Sequence, residues 1–304
     1  MSKLSISLNV DDGAPVNLYY FHNLQNPHKL LIPPAFVKKF GKVCEKYDVK
    51  GKFSIVPVPA GLGRLDEKIN MVDQRSRKEF IRLAQKYIKP RFSITPEILT
   101  HFQAWDLQND CGKHLHEDKL ISTMSAEEIA EYVGLAIKIL DNVGLTPSGV
   151  SSPWTTGRDN EQNYFTGIGM AFKRVLKRDR CFYFLHCRSR PTLMCDTPET
   201  GRVIHIPANC GDKFWTGNKG LSAAQTRKKI RQDLDEVLTE DGKKGMLREF
   251  AERDEHFSLL THWTSLFSDG GEYGLEGFEY LLERIQKVFG NHIEWKMFEE
   301  LDAK

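Results

Sequence analysis

The chain has 304 residues, 40% of them hydrophobic and 28% charged, a composition that excludes disordered, collagen-like and membrane-embedded classes. Its 43 basic and 41 acidic residues leave a net charge of +2, so bulk charge draws it neither to nucleic acid nor to an anionic membrane. Met1-Ser2-Lys3 runs straight into strand-like residues, with no apolar leader behind it, and a soluble cytoplasmic protein is expected.

The first strand is predicted to end at Val10, and a short helix follows over 36–49. The apolar run Phe53-Ser54-Ile55-Val56-Pro57-Val58 predicts the next strand, within 52–59. Residues 75–88 have helical spacing, with Phe80, Ile81, Leu83 and Ala84 toward one side, and 91–100 predicts a strand made irregular by Pro96. The clearest helix spans 125–143. Ser125 and Glu128 form a capping box, Ile129, Val133, Ala136, Ile137 and Leu140 make one stripe, and Gly144 stands where a helix-ending glycine belongs. Short strands are predicted over 148–153, 182–186 and 203–207. Ser222 and Gln225 open another capped helix, with Ile230, Leu234, Val237 and Leu238 on one face. A strand over 257–261, a helix over 275–288 and a short strand or turn over 292–295 complete the series.

Alternating strands and helices imply parallel strands joined by right-handed crossovers. A barrel and an open doubly wound sheet both fit. No G-x-G-x-x-G or G-x-x-x-x-G-K-[ST] sequence follows a strand, which removes support for the nucleotide-binding open sheets. The expectation is a single distorted (β/α)7-type TIM-like barrel spanning 1–304. The 6 cysteines include no C-x-x-C pair and are expected to be reduced. The basic run around Lys173, Arg174, Lys177, Arg178 and Arg180 reads as solvated helix surface.

In a parallel barrel the C-terminal strand ends share one mouth. Polar or aromatic groups stand at several predicted ends: Asp11-Asp12-Gly13, Thr100-His101 with Asp106 beyond, Ser151-Ser152-Pro153-Trp154, and Thr261-His262-Trp263. Each has a plain reading. Asp-Asp-Gly is a good turn, a lone histidine is more often structural than a ligand, and Pro153-Trp154 could be a rigid turn with a core aromatic.

Taken together, these segments resemble the polysaccharide-deacetylase (NodB-homology) superfamily. Leu8-Asn9-Val10-Asp11-Asp12-Gly13 is similar to its T-F-D-D-G motif, Thr100-His101 to the start of H-[ST]-x-x-H, Ser151-Ser152-Pro153-Trp154 to R-x-P-[YFW], and Leu260-Thr261-His262 to L-x-H. The resemblance implies a metal-dependent hydrolase. Asp11 would be the general base and His262 the general acid. Asp12 and His101 would ligate a divalent ion, expected to be zinc. Pro153, Trp154 and Trp263 would line the pocket. Such an ion acidifies water and polarises a carbonyl, while a carboxylate and an imidazole move the protons.

Two positions depart from the pattern. Trp105 stands where a second ligand histidine belongs, so Asp106 is the expected substitute, with His114 or His116 as other options. Ser151 replaces the arginine that orients the base, which predicts a base lacking its cation and titrating higher. His186 and His205 also lie near strand ends but read as core or rim packing, and Asp269-Gly270-Gly271-Glu272 reads as a loop over the mouth. The function expected is removal of an acyl group, through a C–N or ester bond, from a carbohydrate or small polar substrate, with no nucleic-acid or membrane partner. The alternatives are a degenerate barrel that binds a glycan without turnover, and a glycoside hydrolase, which would need a second, separated carboxylate.

Overall fold

The first strand, β1 (Leu4–Gly13), is buried along both faces, with only Ser5 partly exposed, as expected of a central parallel strand covered on either side. It belongs to a computed structural model that describes residues 3–22, 29–185 and 190–303. In chain order the other strands are β2 (Gly51–Ile55), β3 (Phe92–Pro96), β4 (Gln103–Asp106), β5 (Cys111–His116), β6 (Gly149–Ser151), β7 (Arg180–Phe184), β8 (Thr192–Thr197), β9 (Gly201–His205), β10 (Phe257–His262) and β11 (Ile293–Trp295).

One parallel sheet has the order β10-β1-β2-β3, with β11 paired to the start of β1. A second has the order β6-β7-β9-β8, in which β8 is an antiparallel edge. β4 and β5 form a separate antiparallel hairpin. The sheets meet at two seams. At one, Ile98 N–H donates to the Ser151 carbonyl at 3.1 Å and Ser148 N–H to that of Ile94 at 2.9 Å. At the other, Leu260 N–H donates to the Cys210 carbonyl at 2.9 Å.

Among the described residues these seams are isolated bridges, so the closed barrel expected from sequence is not formed as a continuous hydrogen-bonded ring. The reason is local. The 3 residues of β6 pair with β7, but at the seam with β3 the intervening Pro96 has no N–H to donate. The chain after β9 passes through Pro207, which has no N–H to donate.

Helices alternate with the strands: α1 (Leu18–His22), α2 (Pro34–Lys46), α3 (Gln74–Leu83), α4 (Glu117–Thr123), α5 (Ala126–Asn142), α6 (Glu161–Leu176), α7 (Ala223–Leu234), α8 (Met246–Arg253), α9 (Trp263–Phe267) and α10 (Tyr273–Phe289). The capping boxes predicted from Ser125/Glu128 and Ser222/Gln225 open α5 and α7. α6, expected only as a helix surface around Lys173 and Arg174, has an apolar stripe interrupted by glycines. Those glycines serve packing: a Cβ at Gly167 would stand 2.6 Å from the Ala126 carbonyl oxygen, so only glycine lets α6 approach the start of α5. Lys173 and Arg174 pair with Asp179 and Glu127 at the exposed surface, a solvated face as expected.

The core between sheet and helices is rich in aromatic rings. Trp263 lies fully buried against Phe36, Phe40 and Phe53, with ring centroids 4.6, 5.6 and 5.3 Å away. Cys44, Cys181 and Cys210 are buried free thiols. Among the described residues, no helix is long and apolar enough to cross a membrane.

Candidate active site

The parallel register of β1 and β10 sets Asp11 directly opposite His262. On the other side of β1 the register with β2 slips between Val10 and Gly13, and Asp12 takes a left-handed φ of 67°. Such a bulge turns consecutive side chains in different directions. Gly13 follows because any Cβ there would meet the Ser54 carbonyl at 2.2 Å. His101 (φ 74°) and Trp154 (φ 57°) are also left-handed. Non-glycine residues in this region are uncommon and concentrate at functional sites.

Asp12, Glu97 and His101 are buried and offer ligand atoms all within 4.8 Å of one another. His101 Nε2 lies 3.0 Å from Asp12 Oδ1 and 3.4 Å from Glu97 Oε1. The other oxygen of Glu97 accepts from the Asp12 N–H at 2.7 Å and from Ser54 Oγ at 2.5 Å. Burial alone would lower the pKa of His101, but Asp12 and Glu97 override it and hold the ring well above the usual histidine value. Two carboxylates around one imidazole are a donor set suited to a divalent cation, and such an ion would displace the ring proton they now hold. These residues therefore fit a metal ion.

Glu117, buried at the start of α4, fixes the loop carrying His101. It accepts the backbone N–H groups of Leu99 (3.2 Å), Thr100 (3.0 Å) and His101 (2.9 Å) and the Tyr132 hydroxyl (2.8 Å). Burial still pushes its carboxyl up to about 7.

Asp106, the expected third ligand, is not part of this group. It sits at the turn of the β4–β5 hairpin, accepting the Gln108 and Asn109 N–H groups, 3.5 Å from Lys113 Nζ. Trp105 is buried, with its indole N–H donating to Asp110. Glu97 comes from the opposite direction in sequence, four residues before His101. In the sequence it falls inside the strand predicted over 91–100, so nothing there marks it as a ligand. His114 and His116 lie on the exposed β5, where His116 pairs with Asp118 at 2.6 Å. His205 is buried, with Nε2 2.6 Å from the Leu185 carbonyl. His186 lies outside the described residues.

Asp11 is not without a cation. Lys52 Nζ donates to Asp11 Oδ1 and to Ser151 Oγ, and Ser54 Oγ lies 3.2 Å from the same carboxylate oxygen. The Asp11 carboxyl is nevertheless pushed up to about 6, chiefly by burial, with Lys52 acting against it. The rise expected at the base therefore has a different cause from a missing charge. In the sequence Lys52 stands just ahead of the apolar run over 53–58, where nothing marks it as buried.

His262 is held by a carboxylate that sequence reading also missed. Asp212 Oδ2 lies 2.7 Å from His262 Nδ1 and accepts the His262 backbone N–H at 2.9 Å and Ser265 Oγ at 2.6 Å. Burial would lower the histidine, but this bond and the charges of Asp12, Asp212 and Asp11 raise it to about 9. Asp212-Lys213-Phe214-Trp215 lies several residues before α7 and matches none of the resembling motifs.

Aromatic rings frame the group. Trp154 is 47% exposed, with ring centroids 5.8 Å from His101, 6.5 Å from Phe102 and 6.0 Å from His116. Trp215 lies 4.9 Å from His262, and Tyr19 lies 5.2 Å from Trp215. Pro153 is buried just before Trp154. Trp263, expected to line the pocket, is instead part of the aromatic core, with no exposed surface for a substrate. The reason is that β10 ends at His262 and α9 turns the next side chain inward.

No family model matches the sequence, and no curated protein matches it. Solved structures do. A "putative polysaccharide deacetylase" from Mycobacterium smegmatis aligns with a TM-score of 0.54 at 10% identity, over 99% of this chain and 89% of that one. A "putative glycoside hydrolase/deacetylase" from Parabacteroides distasonis aligns with a TM-score of 0.56 at 8% identity, over 98% of this chain and 70% of that one. At such identities the likeness is one of fold.

Proposed function

We propose that this chain is a divalent-metal-dependent hydrolase that removes an acyl group, through a C–N or ester bond, from a carbohydrate-type substrate. The observation that carries this reading is the meeting of Asp12, Glu97 and His101 within 4.8 Å, beside an acidic residue, Asp11, placed across the strand pair from His262. The fold shared with deacetylase-type structures supports it.

Asp12, Glu97 and His101 would hold the ion, with zinc the expected metal. When bound, the ion supplies Lewis acidity toward water and the substrate carbonyl. Asp11 takes the proton of the attacking water. Its described bonds fall on Oδ1, so Oδ2 is the oxygen assigned to that task. Asp212 fixes Nδ1–H of His262, which leaves Nε2 to give a proton to the departing amine or alcohol. Trp154 presents an exposed ring for the apolar face of a sugar.

The test is acetate release by the purified protein, loaded with zinc, cobalt or nickel, from N- and O-acetylated mono- and oligosaccharides. Release that disappears in Asp11→Asn and His262→Asn supports the reading. Metal binding with no release from any member of the panel, combined with retained glycan binding, would replace the hydrolase with a sugar-binding protein.

A further inference from the structure

Lys52 is fully buried, and that is costly. A cation removed from water loses several kcal/mol of hydration, and buried ion pairs can often be replaced by apolar residues with no loss of stability. Folding alone therefore gives little reason for a lysine here. Its surroundings are specific. β2 lies between β1 and β3, with Lys52 in register with Asn9 and Ser93. Alternation along the strands puts Asp11, Lys52, Ser54 and Thr95 on one face. Nζ donates to Asp11 and Ser151, and Ser151 Oγ lies 2.9 Å from Thr95 Oγ1. The ammonium also sits 4.7 Å from the centre of the Phe184 ring, a favourable place for a desolvated cation.

We infer that Lys52 is the positioning residue for Asp11, supplying from β2 the cation that the resemblance would place as an arginine at position 151. The inference rests on the hydrolase reading for its catalytic half only. Ser151 is not an empty position in this arrangement. It is the hydroxyl that the relocated charge grips, so the two substitutions, serine at 151 and lysine at 52, work as one unit. With its donors directed to Asp11, Ser151 and the Phe184 face, Lys52 reaches no substrate. It acts through Asp11, holding Oδ1 so that the other oxygen faces the reacting water.

Two experiments separate this inference from the function on which it partly rests. The first needs no substrate: urea unfolding of Lys52→Met, Asp11→Asn and the double variant. Each single change leaves one buried charge without its opposite, so each lowers the midpoint, and the double variant, which holds neither charge, recovers most of the loss. Additive losses in the double variant would overturn the pairing.

The second uses whichever acetylated sugar the wild-type protein cleaves. Lys52→Met is expected to lower kcat by about 100-fold, the scale of a misplaced catalytic group, with KM and bound metal unchanged. The exchange Lys52→Ser with Ser151→Lys returns the cation from the other strand, and Lys52→Arg keeps it in place. At least one of them restores tenfold or more, roughly, of the lost kcat. Lys52→Met with wild-type kcat, or failure of both cation-keeping variants to exceed it, would overturn the positioning role. If the wild-type protein cleaves nothing, the hydrolase reading and the catalytic half of the inference fall together, while the unfolding cycle still decides the pairing.

Discussion

Asp212 Oδ2 contacts His262 twice, accepting its backbone N–H at 2.9 Å and lying 2.7 Å from ring Nδ1. One carboxylate oxygen thus sets both where the residue's backbone stands and which ring nitrogen carries the fixed proton. The ring is held protonated to about 9, so it enters neutral pH as an acid. The sign follows. A histidine raised in the folded state contributes stability that is full below its ordinary value near 6.5 and is lost as pH rises through 9. Asp212→Asn should drop the His262 titration, followed by histidine NMR, toward the ordinary value. It should also reduce turnover by about 100-fold or more while metal content stays the same. A His262 titration unmoved by Asp212→Asn would contradict this role.

Trp154 and Trp263 follow two of the resembling motifs but have opposite environments, one 47% exposed and the other fully buried. Trp154→Ala should change stability by less than about 0.5 kcal/mol, as surface substitutions do, and should weaken glycan binding measured by calorimetry. Trp263→Ala empties a site packed on Phe36, Phe40 and Phe53 and should cost about 3–5 kcal/mol in chemical unfolding. A folded Trp263→Ala protein that has lost only sugar binding would reverse this assignment.

His256 gives the fold an acid-sensitive point away from the site. Its Nδ1 meets Ser5 Oγ at 2.8 Å, and burial, with a smaller push from Lys296, lowers it to about 4. Above its ordinary value near 6.5, both folded and unfolded chains hold it neutral, and its contribution is full. As pH falls from there through 4 the unfolded chain takes up the proton first. The loss is on the order of 3 kcal/mol. His256→Asn should flatten this part of the stability–pH curve, measured by urea midpoints between the two values. An identical slope in the variant would remove His256 from the account.

Glu117 ties the backbone of Leu99, Thr100 and His101 to α4. In Glu117→Gln the amide nitrogen would face the His101 N–H, which donates to Oε2, while Oε1 keeps Leu99, Thr100 and Tyr132. Metal affinity should fall about tenfold, the usual effect of removing a group that orients a ligand. Amide exchange over 99–101 should quicken. Unchanged exchange together with unchanged affinity would make Glu117 a packing residue only.

Much of this arrangement was legible in the sequence, and the reasons differ by residue. The capping boxes at Ser125 and Ser222 and the stripe of α5 are local signals, and the structure carries them. The strand ends at Asp11 and His262 were legible because polar residues after apolar runs stand out, whereas the strand expected to run to Thr100 stops at Pro96 and leaves His101 in the loop beyond it. Glu97, Lys52 and Asp212 were not legible, because each acts across the chain. Glu97 reaches His101 through a loop with left-handed residues at Ile98 and His101. Lys52 meets Asp11 only once β1 and β2 pair. Asp212 reaches His262 from a segment joined to β10 by isolated contacts. Ring closure is less complete than expected for a related reason: alternation of elements reports parallel strands, not whether prolines such as Pro96 and Pro207 interrupt the ladders at the seams.

The claim that a divalent ion is held by Asp12, Glu97 and His101 is tested most directly by metal content after reconstitution, measured by inductively coupled plasma mass spectrometry on the wild-type protein and on Asp12→Ala, Glu97→Ala, His101→Ala and Asp106→Ala. The account predicts about one zinc, cobalt or nickel ion per wild-type chain, the ordinary occupancy of a three-residue site, kept in Asp106→Ala and lost in the other variants. A wild-type chain that takes up no metal, or a metal retained without Glu97 and lost without Asp106, would contradict it.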